Sequence, residues 1–239
     1  MQTTTRAIVL SSLKYGDTSL IVKAFTASDG LKSYLLKGVL SSKKTKLKKA
    51  YFQPLTQLEL VVNHRNRGTL EQIRDARISY QYSSLHTDII KNAVCMFLSE
   101  VIGQCIHEEE QNQDLFSYLE ASLQWLDAHE KISNFHILFM LKLSKYLGFY
   151  PESLKTEGGY FDLEQGTFCK TRPSGLSVSG ADLDNFRSFL GIHFDALEGI
   201  SLGRVQRDNL LQILLEYFQL HLHGFRKPRS LAILKEVFS

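Results

Sequence analysis

The sequence predicts an α+β protein: an N-terminal five-stranded OB-fold β-barrel, followed by a mostly α-helical domain with a small β-hairpin insertion. Short segments rich in β-branched and aromatic residues occupy the first 80 residues, and from about residue 83 the hydrophobic period becomes helical. The balance of basic and acidic residues changes at the same place. Residues 1–80 hold 14 Lys and Arg against 5 Asp and Glu, whereas residues 81–239 hold 14 against 20. We therefore expect a basic nucleic-acid-binding domain over 1–80 and a helical domain over 81–239.

Five strands are expected in the first domain, at residues 6–13, 18–25, 31–39, 55–63 and 70–80. Turn signals at Gly16-Asp17 and Asp29-Gly30 separate the first three. The fourth strand has the clearest alternation of apolar and polar side chains. Five short strands favour a small closed barrel, of which the OB-fold is the commonest five-stranded example, although a small sandwich or an SH3-like barrel fits almost as well.

Six helices are expected in the second domain, at residues 85–107, 115–129, 132–149, 181–191, 201–223 and 229–238. Asp114 is the expected N-cap of the second helix. The third is apolar on nearly every side, which is typical of the central helix of a bundle. Residues 151–180 are rich in Gly and Ser and contain two strand-like pieces, 160–163 and 166–169, which predict the hairpin.

Several classes of protein are excluded by the composition. No apolar run approaches the roughly 20 residues that span a bilayer, and the N-terminus does not resemble a signal peptide. Three cysteines, Cys95, Cys105 and Cys169, are too few for a disulfide framework. This cysteine usage indicates a reducing, cytoplasmic setting.

The sequence contains no pattern typical of an active site. The eight histidines are scattered, and the acidic run "HEEE" at 107–110 falls where a helix ends, which favours a solvated turn. A Gly-rich phosphate loop, a nucleophile elbow and a Cys-x-x-Cys pair are all absent from the sequence. We therefore predict no catalytic residue and no enzymatic activity.

Binding chemistry is better supported, by the segment "SSKKTKLKKAYFQP" at 41–54. Lysines this close together repel one another unless an anionic partner offsets their charge. A long lysine-rich loop on a small barrel can follow a phosphate backbone, while aromatic rings stack on bases. The candidate nucleic-acid-binding residues are Lys14, Lys23, Lys32, Lys37, Lys43, Lys44, Lys46, Lys48, Lys49, Arg65 and Arg67, and the candidate stacking residues are Tyr15, Tyr34, Tyr51 and Phe52.

Two other interpretations of these residues remain open. The lysines can serve only to keep the surface soluble, and Tyr51 and Phe52 can pack into the core where the fourth strand begins. The function is open in the same way, because an RNA- or tRNA-binding OB module with a helical partner domain would have the same basic first third. A protein-only adaptor is the further alternative.

The order of several short motifs resembles that of the bacterial RecO recombination-mediator proteins. In the first domain the motifs are Tyr15-Gly16-Asp17, "TSLIV", "FT…G", "KGV" and then "QPLTQLEL" at 53–60. In the second they are "LFSYLEASLQWLD", "YLGFYP" at 146–151 and the region of Ser230-Leu231. The resemblance covers nearly the whole chain in order.

The resemblance implies an OB-fold, a helical second domain and a role in DNA repair and recombination without enzymatic activity. Members of the family bind single- and double-stranded DNA and anneal complementary strands. With RecR they help load RecA onto SSB-coated single strands after DNA damage, in the RecF pathway. The implied partners are therefore DNA, RecR, the C-terminal tail of SSB and, indirectly, RecA, with no membrane. The implied location is the bacterial cytoplasm, in association with the nucleoid.

One departure from the family concerns zinc. Many relatives carry a four-cysteine zinc motif after the segment that matches "LGFYP", whereas this chain has Cys169 alone in that region. A structural zinc site needs four ligands. We therefore expect neither zinc nor any other cofactor, and we expect the hairpin to be held by packing of Tyr160, Phe161, Leu163 and Phe168.

Overall fold

The computed structural model describes residues 2–41, 46–64, 70–107, 109–152 and 158–238. The chain divides into two compact units, Met1–Ala128 and His129–Ser239. Each unit has its own core and is described separately below.

The first unit begins with five antiparallel strands. They are β1 (Gln2–Tyr15), β2 (Ser19–Thr26), β3 (Gly30–Leu36), β4 (Gln57–Asn63) and β5 (Gln72–Ile78), in the spatial order β3-β2-β1-β4-β5. Tight turns join the first three strands, and Gly16 and Gly30 supply the positive φ that such turns require. A short 3₁₀ helix, Lys49–Phe52, precedes β4.

The two outer strands of this sheet are joined through Glu71, the residue before β5. The backbone N–H of Leu35 donates to the Glu71 carbonyl at 3.0 Å, and the Glu71 N–H donates to the Ser33 carbonyl at 2.8 Å. Tyr34 and Glu71 form a parallel bridge. The sheet therefore closes into a five-stranded barrel with the strand order of an OB-fold, which confirms the predicted fold class.

The barrel core follows from side-chain alternation along the strands. On β2, Leu20, Val22 and Ala24 are buried, while Ile21 and Lys23 face outward. Each fully buried aliphatic side chain of this kind contributes roughly 1.5–3 kcal/mol. Inward positions of all five strands share one cluster, which also takes in Phe52 from the 3₁₀ helix.

Two helices complete the first unit: α1 (Ile89–Cys105) and α2 (Gln113–Ala128). The Asp88 carboxylate caps α1 by accepting from the Lys91 N–H at 2.9 Å. The side-chain oxygen of Asn112 accepts from the Leu115 N–H at 3.0 Å, so Asn112 caps α2. The prediction of Asp114 as the cap was wrong, because the helix begins at Gln113 and Asp114 lies in its first turn.

The helices α1 and α2 belong to the same compact unit as the strands because α2 packs on the barrel. The Gln57 amide of β4 donates to the Glu120 carbonyl at 2.9 Å, and the rings of Phe25 and Phe116 lie 5.9 Å apart. Strands give way to helices between Ile78 and Ile89, whereas the compact unit continues to Ala128.

The second unit combines helices with a small sheet. Its elements are α3 (Phe135–Tyr146), β6 (Tyr160–Asp162), β7 (Thr167–Cys169), β8 (Ser177–Ser179), α4 (Gly180–Ser188), α5 (Arg204–His221) and α6 (Leu231–Val237). Helix α3 is buried over most of its length, as its sequence predicts. The predicted hairpin is β6 and β7, and β8 adds a third strand beside β6. No helix among the described residues is long and apolar enough to cross a bilayer.

Candidate nucleic-acid interface

Six of the candidate lysines are exposed on the barrel and its β3–β4 connection. Lys14 lies near the end of β1, Lys23 on the outer side of β2 and Lys37 directly after β3. The other three are Lys46, Lys48 and Lys49. Together they are called the lysine set below.

Backbone pairing brings part of the lysine set to one end of the barrel. Lys14 is the register partner of Leu20, which in turn pairs with Leu36, the residue before Lys37. Two strand spacings separate Lys14 from Leu36, or about 10 Å. The Leu40 N–H also donates to the Thr18 carbonyl at 2.9 Å, which holds the start of the β3–β4 connection beside the β1–β2 turn.

Three other basic residues of the first unit are neutralised by carboxylates. Arg6 pairs with Glu120 at 2.5 Å, Arg77 with Glu59 at 2.5 Å and Lys32 with Glu109 at 2.8 Å. No residue of the lysine set makes an ion pair with another described residue. The positive charge left uncompensated in this unit therefore includes the whole lysine set.

Lys32 is a correction to the sequence prediction. Its side chain is only 4% exposed, and its ammonium group donates to a carboxylate oxygen of Glu109, whose side chain is 57% exposed. It sits on the inward side of β3 together with Tyr34 and Leu36. A buried ammonium group with its own carboxylate partner is not available to a phosphate.

Two of the four candidate stacking residues are also corrected. Tyr34 and Phe52 are fully buried in the barrel core, so neither offers a ring face to a base. The Tyr34 hydroxyl bonds His64 Nε2 at 2.8 Å, while His64 Nδ1 donates to Asp29 at 2.8 Å. Burial, followed by the charges of Asp29 and Glu71, raises the pKa of Tyr34. This hydrogen-bonded chain fixes the Tyr34 ring inside the barrel.

The other two aromatic candidates remain accessible. Tyr15, 56% exposed, extends from the end of β1, and Tyr51 is half-buried in the 3₁₀ helix. The Lys48 ammonium group lies 5.9 Å from the centre of the Tyr51 ring. A cation beside an aromatic face is an arrangement that suits a nucleotide, since it offers contacts to both phosphate and base.

The candidates Lys43, Lys44, Arg65 and Arg67 lie outside the described residues. Their role in binding stays a prediction.

A cleft beside the 3₁₀ helix includes residues that the sequence analysis did not single out. Tyr80, Tyr82 and His86, from the segment that follows β5, line it opposite Tyr51. Burial raises the pKa of the Tyr82 hydroxyl, which donates to the Leu55 carbonyl at 3.0 Å. The one signal for these residues was the concentration of aromatic side chains directly after the last strand.

The described residues of the second unit do not form a four-cysteine zinc site. Cys169 contacts the Tyr160 carbonyl at 3.8 Å, and Cys95 and Cys105 are buried in α1 of the first unit. Within the described ranges, no group of three or more His, Cys, Asp or Glu could hold a metal ion. Aromatic packing occupies the small sheet: the Phe161 ring lies 4.9 Å from both Phe168 and Phe186. The residues present therefore do not fit a four-thiolate zinc ion.

A closed five-stranded barrel with an uncompensated lysine surface, followed by a helical unit, defines the class of OB-fold proteins. The family model for the N-terminal part of recombination protein O matches residues 1–82, and the model for its C-terminal part matches residues 86–231. The chain belongs to the RecO family of DNA repair proteins.

Relatives resemble the chain over its full length. DNA repair protein RecO of Christiangramia forsetii is 49% identical over 234 residues, which is 98% of each chain. The RecO proteins of Flavobacterium psychrophilum and Flavobacterium johnsoniae are 45% and 44% identical over 239 residues, each covering 100% of both chains.

Proposed function

We propose that this protein binds single- and double-stranded DNA through the lysine set and anneals complementary strands. With RecR it would help load RecA onto single strands coated by SSB. One observation carries the proposal: the lysine set has no described carboxylate partner, whereas Arg6, Lys32 and Arg77 of the same unit are each paired.

The physical basis of binding is counterion release. Each phosphate that a lysine neutralises frees condensed cations, and for single strands the logarithm of affinity falls with the logarithm of salt by about 0.7 per phosphate. About five contacts give a slope near −3.5. Flexible lysines contact phosphates rather than base edges, so we expect little sequence specificity.

Annealing follows from the same charges. Two complementary strands repel each other through their phosphates, and a surface that neutralises both lowers that repulsion. Pairing then proceeds without nucleotide hydrolysis. We accordingly propose that the protein acts as a mediator by binding rather than by catalysis, in the cytoplasm and in association with the nucleoid.

The second unit is the proposed site for protein partners, RecR and the acidic tail of SSB. The Lys142 ammonium group lies 6.0 Å from the centre of the half-buried Phe194 ring. Burial, followed by the charge of Lys145, lowers the pKa of Lys142, and the negative charge of an acidic peptide would act against both effects. An apolar ring beside Lys142, with the charge of Lys145 close to that lysine, supports docking of a tail that carries both apolar and acidic residues.

A strand-annealing assay on SSB-coated oligonucleotides, with and without RecR, tests the proposal. The protein should accelerate annealing, and the variant Lys46→Ala/Lys48→Ala/Lys49→Ala should be slower at equal concentration. A matched control removes three exposed charges elsewhere, at Lys170, Arg226 and Lys227. Equal rates for the two triple variants would contradict the role of the lysine set.

A second measurement separates DNA from the other candidate ligands. Competition between single-stranded DNA and RNA of equal length should favour DNA. Preference for RNA would point to an RNA-binding module, and a gel shift at low salt that shows no complex with either would point to a protein-only adaptor.

A further inference from the structure

The cleft beside the lysine-bearing connection is shaped by three segments of the first unit. It encloses about 240 Å³ between the 3₁₀ helix, the residues just before β4 and the residues at and after the end of β5. Its walls include Tyr51, Thr56, Tyr80, Tyr82 and His86. Sites for drug-sized ligands enclose roughly 300–1,000 Å³, so this cleft suits something smaller, such as one heterocyclic base.

The aromatic wall of the cleft is held in place by its own contacts. The ring centre of Tyr82 lies 5.4 Å from that of Tyr80 and 5.4 Å from that of His86, in edge-on arrangements. His86 Nε2 donates to the Pro54 carbonyl at 2.9 Å, and the Tyr82 hydroxyl donates to the Leu55 carbonyl. Rings fixed in this way lose little conformational entropy when a flat ligand packs against them.

Thr56 gives the cleft a polar group that lacks a partner. The residue is 4% exposed, its N–H donates to the Gln53 carbonyl and its own carbonyl accepts from the Val9 N–H. Its hydroxyl oxygen is buried and makes no hydrogen bond to any described residue. Buried polar atoms are nearly always paired, so this hydroxyl has hydrogen-bonding capacity left for a water molecule or a ligand in the cleft.

Charge at the cleft favours an anionic strand. The Lys48 ammonium group lies near the Tyr51 ring, and Lys49 is the first residue of the 3₁₀ helix that forms this wall. None of the described residues that line the cleft is Asp or Glu. A phosphate held by these lysines would carry its base close to Tyr51.

We propose that this cleft receives one base of a single DNA strand, and this inference rests on the proposed function. The base stacks against the tyrosine wall and hydrogen-bonds the Thr56 hydroxyl, while the adjoining phosphate contacts Lys48 or Lys49. Duplex DNA keeps its bases stacked and paired, so the cleft gives single strands a contact that duplexes lack.

The test compares two strands of equal length and charge: a 15-nucleotide oligothymidylate and a matched strand in which every nucleotide is abasic. The wild-type protein should bind the first more tightly, as measured by competition fluorescence anisotropy. Tyr80→Leu should weaken binding of oligothymidylate by roughly 5- to 100-fold and leave the abasic strand unaffected, since one stacked base contributes on that scale. Tyr160→Leu, which replaces a half-buried tyrosine of the second unit, is the matched control.

Thr56→Val supplies a second variant that keeps the shape of the side chain. Because the hydroxyl has no described partner, its removal should not lower the melting temperature. It should weaken binding of oligothymidylate by roughly 2- to 10-fold and leave the abasic strand unaffected. This variant tests the cleft even if Tyr80→Leu fails to fold.

The outcomes distinguish this inference from the proposed function. Absence of binding to either strand at low salt overturns both. Tight and equal binding of both strands by the wild type overturns the cleft alone, because the lysines then account for all the affinity. Unchanged discrimination in both Tyr80→Leu and Thr56→Val likewise overturns the cleft and leaves DNA binding by the lysine set intact.

Discussion

The carboxylate of Asp127, at the end of α2, accepts a hydrogen bond of 2.8 Å from the backbone N–H of Leu85. The same carboxylate accepts from the N–H groups of Ser83 at 2.9 Å and Ser84 at 2.8 Å. The buried Lys91 donates to the Asp127 carbonyl at 2.7 Å. One side chain thus holds the segment that joins the barrel to its helices.

Asp127→Asn should destabilise the protein by about 2–4 kcal/mol, because the amide nitrogen cannot replace an oxygen that accepts from buried N–H groups. Chemical denaturation of the full chain measures this loss. Asp114→Asn, on the exposed first turn of the same helix, should cost below about 1 kcal/mol. Equal losses for the two variants would contradict the role given to Asp127.

The same carboxylate should make stability depend on pH. Burial of the Asp127 carboxyl opposes ionisation, but hydrogen bonds from Ser83, Ser84 and Leu85 outweigh it and lower its pKa. This stabilisation is present above the ordinary carboxyl range and is lost as pH falls through the lowered pKa. The stability gap between wild type and Asp127→Asn should therefore narrow as pH falls below about 4.

His136 should produce a second, separate pH dependence. It is fully buried in α3, and burial, followed by the charge of Arg207, lowers its pKa from 6.5 to about 3. Below pH 6.5 the unfolded chain therefore binds a proton at this histidine that the folded chain does not. The contribution of His136 to stability is complete above about pH 6.5 and is lost as the pH falls toward 3. Stability should fall by up to about 1.4 kcal/mol per pH unit from this source within that window.

The variant His136→Phe isolates this effect. Its stability should depend less on pH between 6.5 and 4 than that of the wild type, as measured by urea unfolding at a series of pH values. His193→Phe, at an exposed position of the same unit, should leave the wild-type dependence unchanged. Parallel curves for wild type and His136→Phe would rule out the buried neutral imidazole as the source.

The lysine set should determine the salt dependence of DNA binding. Lys46→Ala/Lys48→Ala/Lys49→Ala should reduce the slope of log affinity against log salt by about 2, from roughly 0.7 per lost phosphate contact. Fluorescence anisotropy with a single-stranded oligonucleotide over a range of salt gives the slope. The triple alanine variant at Lys170, Arg226 and Lys227 should keep the wild-type slope, and a similar reduction there would show that only total charge matters.

Lys32 should behave in the opposite way, as a residue of stability rather than binding. Glu109→Gln should cost about 1–3 kcal/mol, because it weakens the hydrogen bond to a buried ammonium group. Lys32→Met should leave the salt slope of DNA binding unchanged. If Lys32→Met reduced the slope by about 0.7, Lys32 would contact a phosphate and would belong to the interface.

Gly166 should tolerate no side chain, for two separable reasons. Its φ is +67°, and a Cβ atom there would lie 2.6 Å from the Tyr217 hydroxyl, which donates to the Phe149 carbonyl at 2.6 Å. Gly166→Ala should cost about 2–4 kcal/mol. Gly191 has a φ of +73° with nothing within 4 Å, so Gly191→Ala should cost only the backbone strain, about 1–2 kcal/mol. Thermal melts of the two variants give the difference, and equal costs would show that Tyr217 moves aside freely.

Local patterns in the sequence sufficed for the five barrel strands, the β6–β7 hairpin, the helices and the exposed lysines, but not for β8. The alternation of apolar and polar side chains predicted the fourth strand at 55–63, and the observed β4, Gln57–Asn63, begins two residues later. The pattern was less informative at helix ends: residues 85–88 read as helix, but Asp88 caps α1 and Ile89 is 78% exposed. At a helix end, a capping hydrogen bond can stop the helix although the apolar pattern continues, and only the folded geometry shows where the helix begins.

The candidate site was predictable only in part, for a physical reason. Lys32 lies on the same face of β3 as the buried Tyr34 and Leu36. A lysine is ordinarily exposed, so the sequence alone predicts that its side chain faces the solvent. Its partner Glu109 lies 77 residues further along the chain, and no local pattern links the two. The cleft likewise joins Tyr51 to Tyr80 and His86 through tertiary packing.

Barrel residues pair with α2 and with Glu109, four residues before it, and these contacts decide how the chain can be divided. In a fragment cut after residue 82, where the first family model ends, Lys32 and Arg6 would lose the carboxylates that pair with them. It would also uncover Phe25. A fragment that ends at Ala128 retains all of these contacts and is the smallest piece we expect to fold on its own.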